Sequence, residues 1–350
     1  MGCKHPWHTM YVDNDNGLFR LKPCCRATDV VGTADSIEEI YDHPALKKIR
    51  KQFTKGRKVP SVCVGCVDRR KESLTTPIFK GLPYYDSEPD GIVDWDIRTD
   101  HICNLKCAMC GPYQSSKWHE DLDIYTKFFK DATNPRKAPD WDYILEHTKN
   151  KARRIYLAGG EPFYSKQVLM FLEELSNFSW NCKYTQIDIQ TNGVSLNDKT
   201  FKLLQRFKNV NFCMSVDAIT DVNHIIRFPT NWDIFLENYD MFKRINNNKM
   251  LFSVTIQAMN LPVIDDLVEF FPNDSFVLNK LHYPLILHIN SLKPEVIADV
   301  RAKTKLPKVK QICKEYKYDA ENNVKLQKYL QDLDTKRKTL SPKHIPWCFA

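Results

Sequence analysis

Three cysteines, Cys103, Cys107 and Cys110, form a C-x3-C-x2-C array directly after the strand-like run Ile92 to Ile97. With 12 cysteines in 350 residues, about 0.014 such triplets are expected by chance, so the array needs a chemical reason. Three thiolates on one short loop suit an iron–sulfur cube. Soft sulfur prefers iron, and the curvature of the loop lets each sulfur reach a different iron. Three ligands for four irons leave one iron open to bind a substrate. Zinc is the rival, but a structural zinc takes four closed ligands, and His101 is the only further candidate nearby.

Composition narrows the setting. At 43% hydrophobic and 27% charged, the chain has room for a sizeable core, and its length suggests two domains. The apolar stretches Leu82 to Tyr85 and Leu285 to Ile289 are far short of a bilayer span, so no membrane association is expected. The opening residues carry no charged-then-apolar signal pattern, and a cytoplasmic location is expected. In such a compartment, clustered cysteines read as metal or cluster ligands rather than disulfides. Of the formal charge of +8, residues 293–350 contribute +7, from 14 basic and 7 acidic side chains. A solvated helical face accounts for that excess as well as an acidic partner or nucleic acid does.

Strand-like runs alternate with amphipathic stretches over much of the chain. The strand candidates are Ile92 to Ile97, Arg154 to Ala158, Gln186 to Gln190, Asn211 to Val216, Leu251 to Ala258 and Leu285 to Ile289. Helical patterns fall at Ser165 to Phe178, Leu196 to Phe207, Trp232 to Asn246 and Pro262 to Phe271. Such alternation predicts right-handed βαβ units and a parallel sheet. The expected fold is α/β, a partial (β/α)6 TIM-like barrel over 91–291, with too few units for a closed eight-stranded barrel. Residues 1–90 hold one helical pattern, Ser36 to Phe53, and too little apolar periodicity for a core of their own. They are expected to be a small cysteine-rich domain stapled by metal. Residues 292–350 are expected to be a basic helical C-terminal extension.

Further motifs sit at the ends of later strands. Arg154 to Ala158 runs into Gly159-Gly160-Glu161-Pro162, where two glycines allow close backbone approach and free carbonyls, and Glu161 suits an ammonium group. Gln186 to Gln190 ends in Thr191-Asn192-Gly193, which is also a good turn. Met214-Ser215-Val216-Asp217-Ala218 is followed by Arg227, whose fork matches a carboxylate or forms a surface ion pair. Gln257 and Asn260 are candidates to face a pocket, and Cys182 and Cys213 read as buried small side chains.

The cysteine triplet resembles the cluster loop of the radical S-adenosylmethionine (SAM) superfamily, and Gly-Gly-Glu-Pro on the next strand resembles that family's second motif. The resemblance implies a [4Fe-4S] cluster on Cys103, Cys107 and Cys110, with SAM chelated at the open iron. It implies that Met109 packs against the adenine and that Gly159, Gly160 and Glu161 hold the methionine amino group. Asn192 would lie near the ribose, and Ser215 and Arg227 would contact ribose and carboxylate. The family usually has glycine where this chain has Ala218, so the local turn is expected to differ.

The cysteines of the first 90 residues are similar to those of a twitch module, a shortened SPASM domain that carries an auxiliary iron–sulfur cluster. That similarity implies Cys3, Cys24, Cys63 and Cys66 as ligands, with Cys25 replacing Cys24 or Cys348 replacing Cys3 as alternatives. Zinc remains a rival there. The implied function is reductive cleavage of SAM to a 5′-deoxyadenosyl radical that abstracts hydrogen, with a peptide or protein as substrate and a flavodoxin or ferredoxin as reductant. No residue stands out as catalytic base. The alternative is a zinc- or cluster-stapled nucleic-acid-binding protein with a basic C-terminal arm. A catalytically idle electron carrier is a third reading.

Overall fold

A computed structural model describes residues 5–55, 59–63, 91–130, 134–245 and 250–349. Among them run the strands β1 (Thr9–Asp15), β2 (Leu18–Arg20), β3 (Thr33–Ala34), β4 (Asp94–Arg98), β5 (Arg154–Ala158), β6 (Gln186–Thr191), β7 (Asn209–Ser215), β8 (Leu251–Ile256) and β9 (Ser275–Lys280). Their order is β3-β2-β1-β4-β5-β6-β7-β8-β9. The pairs β1–β4, β4–β5, β5–β6, β7–β8 and β8–β9 are parallel, whereas β1–β2 and β2–β3 are antiparallel. The fold is therefore α/β with a mostly parallel sheet, consistent with a partial TIM-like barrel. Among the described residues, no helix is long and apolar enough to cross a membrane.

The chain divides into two compact units. The first comprises Met1–Ile102, Asn134–Gln190 and Asn197–Asn211; the second comprises Cys103–Thr133, Thr191–Leu196 and Phe212–Ala350. Each is assembled from three segments.

In the first unit, strand alternation separates an apolar face from a charged one. Met10, Val12, Trp95, Ile97, Ile155, Leu157, Ile187 and Ile189 are all buried on one side. Each such side chain contributes about 1.5–3 kcal/mol. The helix Lys166–Leu175 likewise buries Val168, Phe171, Leu172 and Leu175, an i, i+3, i+4, i+7 stripe, and leaves Met170 65% exposed.

On the other side of these strands, register places Thr9, Asp94, Arg154 and Gln186 at one level and Tyr11, Asp96, Tyr156 and Asp188 at the next. Several of these polar groups pair with one another. Thr9 donates to Asp94 at 2.9 Å, and Arg154 bridges Asp94 (2.9 Å) and Asp188 (2.5 Å). Arg98 pairs with Asp96 at 2.9 Å, its guanidinium lying over the rings of Tyr11 and Tyr156. Buried charge is tolerated only in such pairs.

The second unit is built around one large apolar cluster. The helix Ala320–Arg337 starts at Asp319, whose side chain accepts the Asn322 N–H, and stops at Lys338 in the left-handed region, φ 56°. Its Leu326, Tyr329, Leu330 and Leu333 join Ala108, Trp118, Ile226, Met259 and Leu287 in one core. The C-terminal segment is thus part of this unit's interior. Several of its basic side chains meet carboxylates, as Lys303 does Asp299 (2.7 Å), Lys305 does Glu269 (2.8 Å) and Lys336 does Asp123.

Two expectations require correction. Leu285–Ile289 is not a strand but two short 3-10 turns, Leu285–Leu287 and Ile289–Ser291; the sixth strand of the series is Ser275–Lys280. A five-residue apolar run does not by itself distinguish strand from turn, and Ser275–Lys280 is half-exposed along its length, which weakens its apolar signal. The helix expected over Ser36 to Phe53 is broken at His43 into Ile37–Asp42 and Pro44–Lys55, with Pro44 opening the second. Within residues 1–90, the region expected to be a small N-terminal domain, one strand joins the main sheet. β1 pairs with β4 over five positions and extends the parallel sheet. Its polar residues Thr9 and Asp13 face the charged side, so its pattern lacks an apolar run.

The charged face supplies a test. Arg154→Met strips both Asp94 and Asp188 of their cation and is expected to destabilise the fold by about 3–5 kcal/mol. The check is the urea midpoint, which should fall at unchanged m-value; an unchanged midpoint would remove the pair from the account of stability.

Candidate active site

β4 ends at Arg98, and a tight turn follows. The Asp100 carboxylate accepts the Ile102 N–H at 2.9 Å and the Ser165 hydroxyl at 2.6 Å. Burial pushes the Asp100 carboxyl up, opposed by these two bonds. Beside it, Gly160 N–H donates to the Asp100 carbonyl and Glu161 N–H to the Ile102 carbonyl, each at 2.8 Å, so the parallel ladder runs past β5. The two glycines are needed here. A Cβ on Gly159 would lie 2.2 Å from Thr99 Oγ1, and one on Gly160 would lie 2.3 Å from the Ile102 carbonyl oxygen. Their space is taken by residues 99–102, a reason the sequence did not disclose. Glu161 is fully buried, and its Oε1 accepts the Phe163 N–H at 3.2 Å. His101 turns Nδ1 to the Arg136 carbonyl, 3.0 Å away.

Within the second unit, side chains from outside the cysteine loop fix its backbone. Ser116 accepts the Cys103 N–H and donates to the Cys103 carbonyl. Ser115 donates to the Leu105 carbonyl, Trp118 Nε1 to the Cys107 carbonyl (2.9 Å) and Tyr329 to the Ala108 carbonyl (2.9 Å). Lys106 N–H reaches the Phe228 carbonyl and Ala108 N–H the Ile226 carbonyl, at 2.6 and 2.7 Å. Cys107 is thereby set opposite Arg227.

The three thiols are grouped. Cys103 and Cys107 are buried with Leu105, and Met109 and Cys110 pack against them. Cys110 donates to the Cys107 sulfur, which holds Cys107 below the ordinary thiol range and Cys110 well above it. The charge of Arg227 favours the thiolate of both. Asn192 donates to Asn104 at 2.7 Å and approaches the Cys103 sulfur at 4.0 Å. Among the described residues, no three His, Cys, Asp or Glu side chains form a group able to hold a metal ion. A cube distributes its sulfurs over separate irons, and a loop with three grouped thiols and a fixed backbone fits that demand.

Ser215 ends β7 opposite Ser253. Arg227 is half-buried, and its Nε lies 2.8 Å from Asp217 Oδ2. Asp217, which sequence reasoning passed over as a site residue, is fully buried. It accepts the Thr255 N–H at 2.6 Å, and burial raises its carboxyl against the pull of Arg227. Ala218 is buried in the unit's core, so its methyl packs where a glycine would leave space. Asn260 donates to the Asp217 and Thr255 carbonyls and accepts the Gln257 N–H. It ties the two strand ends together. The amide nitrogen and oxygen of Gln257 are buried without a hydrogen-bond partner among the described residues.

Of the N-terminal cysteines, Cys3 and Cys66 lie outside the described residues. Cys24 and Cys63 are half-buried, and a bond from Thr28 N–H to the Val62 carbonyl (3.0 Å) links their neighbourhoods. Burial and then Asp96 push the Cys25 thiol up. Cys348 is fully buried in the second unit, its thiol 3.6 Å from the Ala258 carbonyl. Cys182 and Cys213 are half-buried, more open than expected.

Ser115, Ser116, Trp118 and Tyr329 were missed as well. Their only sequence signal is a cluster of polar and aromatic residues just after the triplet, and Tyr329 has none.

The family profile of the Radical SAM superfamily matches residues 97–271, which is 175 of 350 residues. No curated protein matches. Among solved structures, Streptococcus suis SuiB bound to precursor peptide SuiA is 15% identical, with a TM-score of 0.38, over 85% of this chain and 60% of that one. Native anSMEcpe with bound AdoMet is 16% identical, with a TM-score of 0.41, over 68% and 59%. TYW1 with a lysine-pyruvate adduct is 12% identical, with a TM-score of 0.32, over 61% and 70%. The chain thus spans about three-fifths of the SuiB structure.

Gly160→Ala must displace the backbone at Ile102 and is expected to cost about 1–3 kcal/mol, read as a lowered thermal midpoint. A variant as stable as the parent would mean that this contact is loose. Tyr329→Phe leaves the Ala108 carbonyl without its donor and should cost about 1–3 kcal/mol by the same measurement.

Proposed function

This chain belongs to the Radical SAM superfamily, and on that premise we propose that it reductively cleaves SAM at a [4Fe-4S] cluster and abstracts hydrogen from a peptide or protein substrate. The observation that carries this reading is the cysteine loop, with three grouped thiols and its backbone held from outside. When bound, the cluster and SAM supply one-electron cleavage of a sulfonium and a 5′-deoxyadenosyl radical.

The residues divide the remaining work. Cys103, Cys107 and Cys110 hold the cluster, and Met109 offers a soft apolar contact to the adenine. Gly159, Gly160 and Glu161 serve the methionine amino group, with the Glu161 carboxylate as counter-charge, and Asn192 and Ser215 serve the ribose. Arg227 is assigned to the SAM carboxylate. Its Nε is turned to Asp217, so an incoming carboxylate would share the guanidinium with that partner. Cys3, Cys24, Cys63 and Cys66 form the auxiliary site, and residues 1–90 are the module that carries it. Flavodoxin or ferredoxin is the proposed reductant. The peptide or protein substrate rests on the resemblance to enzymes with such a module.

Anaerobic reconstitution with iron and sulfide, followed by SAM and dithionite, should yield 5′-deoxyadenosine by chromatography. Cys107→Ala should abolish it, and retention of that product would reject the cluster assignment. Cys63→Ala with Cys66→Ala should lower the iron-to-protein ratio while the triplet's cluster spectrum survives; an unchanged ratio would reject the auxiliary site.

A further inference from the structure

The C-terminal helix delivers a second group to the cysteine loop. Arg337, in its last turn, has a side chain only 1% exposed. Its Nε donates to Asp121 Oδ2 at 2.8 Å. Its two terminal nitrogens are buried and have no hydrogen-bond partner among the described residues. The guanidinium lies 4.8 Å from the centre of the Trp118 ring and 5.3 Å from that of Phe228. Trp118 is the donor to the Cys107 carbonyl, and the Phe228 carbonyl accepts from Lys106 N–H. Arg337 is therefore packed directly behind residues 106 and 107.

The buried charges near the loop do not cancel. Asp121, fully buried, is shared between Arg337 and Lys106, whose Nζ lies 2.9 Å from Oδ1. Arg227 and Asp217 neutralise each other. Glu120 also meets Lys106 at 3.2 Å, but it is half-exposed and faces Lys117 as well. Two buried cations, Arg337 and Lys106, share one buried carboxylate, which leaves one positive charge in surplus. An uncompensated buried cation is costly unless an anion completes the set. Three thiolates outweigh the dipositive core of an oxidised cube by one charge, which is the complement required.

We propose that Arg337 is an electrostatic positioning residue for the cysteine loop, its surplus positive charge behind Cys107 offsetting the anionic cluster that the three thiolates hold. This inference rests on the function proposed above. A positive charge beside a cluster stabilises its reduced, more negative state, so Arg337 would raise the reduction potential.

The test is the midpoint potential of the triplet's cluster in the reconstituted full chain, measured by electron paramagnetic resonance during redox titration. Arg337→Gln should shift it to more negative values, and Arg337→Lys should hold it near the parent's. Asp121→Asn should shift it the other way, and the double variant should return towards the parent. A purely structural Arg337 predicts lowered thermal stability with an unchanged midpoint, and an unchanged midpoint in Arg337→Gln overturns the proposal. Should that variant fail to retain a cluster, Asp121→Asn decides, and a midpoint equal to or below the parent's overturns it. A parent chain that takes up no iron–sulfur cluster would overturn both this inference and the proposed function. A parent with a normal cluster and unresponsive variants would overturn this inference alone.

Discussion

A loop that must present three sulfurs without a helix or strand of its own depends on where its backbone hydrogen bonds go. Every unpaired buried carbonyl is expensive, and here those of residues 103, 105, 107 and 108 are taken by Ser116, Ser115, Trp118 and Tyr329. Two N–H groups of the same loop go to the backbone at 226 and 228. The loop therefore has little freedom to slide. The helix that contributes Tyr329 is itself held by the core that Leu326, Leu330 and Leu333 complete. Packing more than 200 residues away in sequence thus bears directly on the site.

The same economy governs charge. In the first unit, Asp94, Asp188 and Arg154, and Asp96 with Arg98, bury carboxylates only in the company of a guanidinium. In the second, Arg227 with Asp217 and Arg337 with Asp121 do the same. Arginine suits both settings because its planar fork keeps its charge when buried and stacks on aromatic faces. The difference lies in the balance, since the second unit retains a cation beyond its carboxylates and that excess lies behind a loop of three thiols.

Much of this was legible in the sequence alone. Five of the six predicted strands occur where alternation placed them, because buried strands carry runs such as Ile155 to Ala158 and Ile187 to Ile189 that few other elements need. The cysteine spacing and Gly-Gly-Glu-Pro were legible because metal ligation and close backbone approach admit few residue types. Other features were not. Ser275–Lys280 reads weakly because alternate residues are exposed, and Thr9–Asp15 reads weakly because its inner face is polar. The glycines at 159 and 160 were read as room for a ligand, and the structure adds a second demand the sequence did not show, room for residues 99–102.

By itself the sequence determined the chemistry on offer, since sulfur spacing, paired glycines and alternating apolar residues are local properties that survive without neighbours. Only the tertiary structure decided which distant groups serve that chemistry. Tyr329, Arg337 and Trp118 carry no spacing signal, because their roles arise from hydrogen bonds and charge at a distance of a few ångströms that the chain reaches only by folding. Asp217 and Arg227 show both halves of the division. Arg227 was singled out from the string of residues and Asp217 was not, and the pairing that joins them is a consequence of packing.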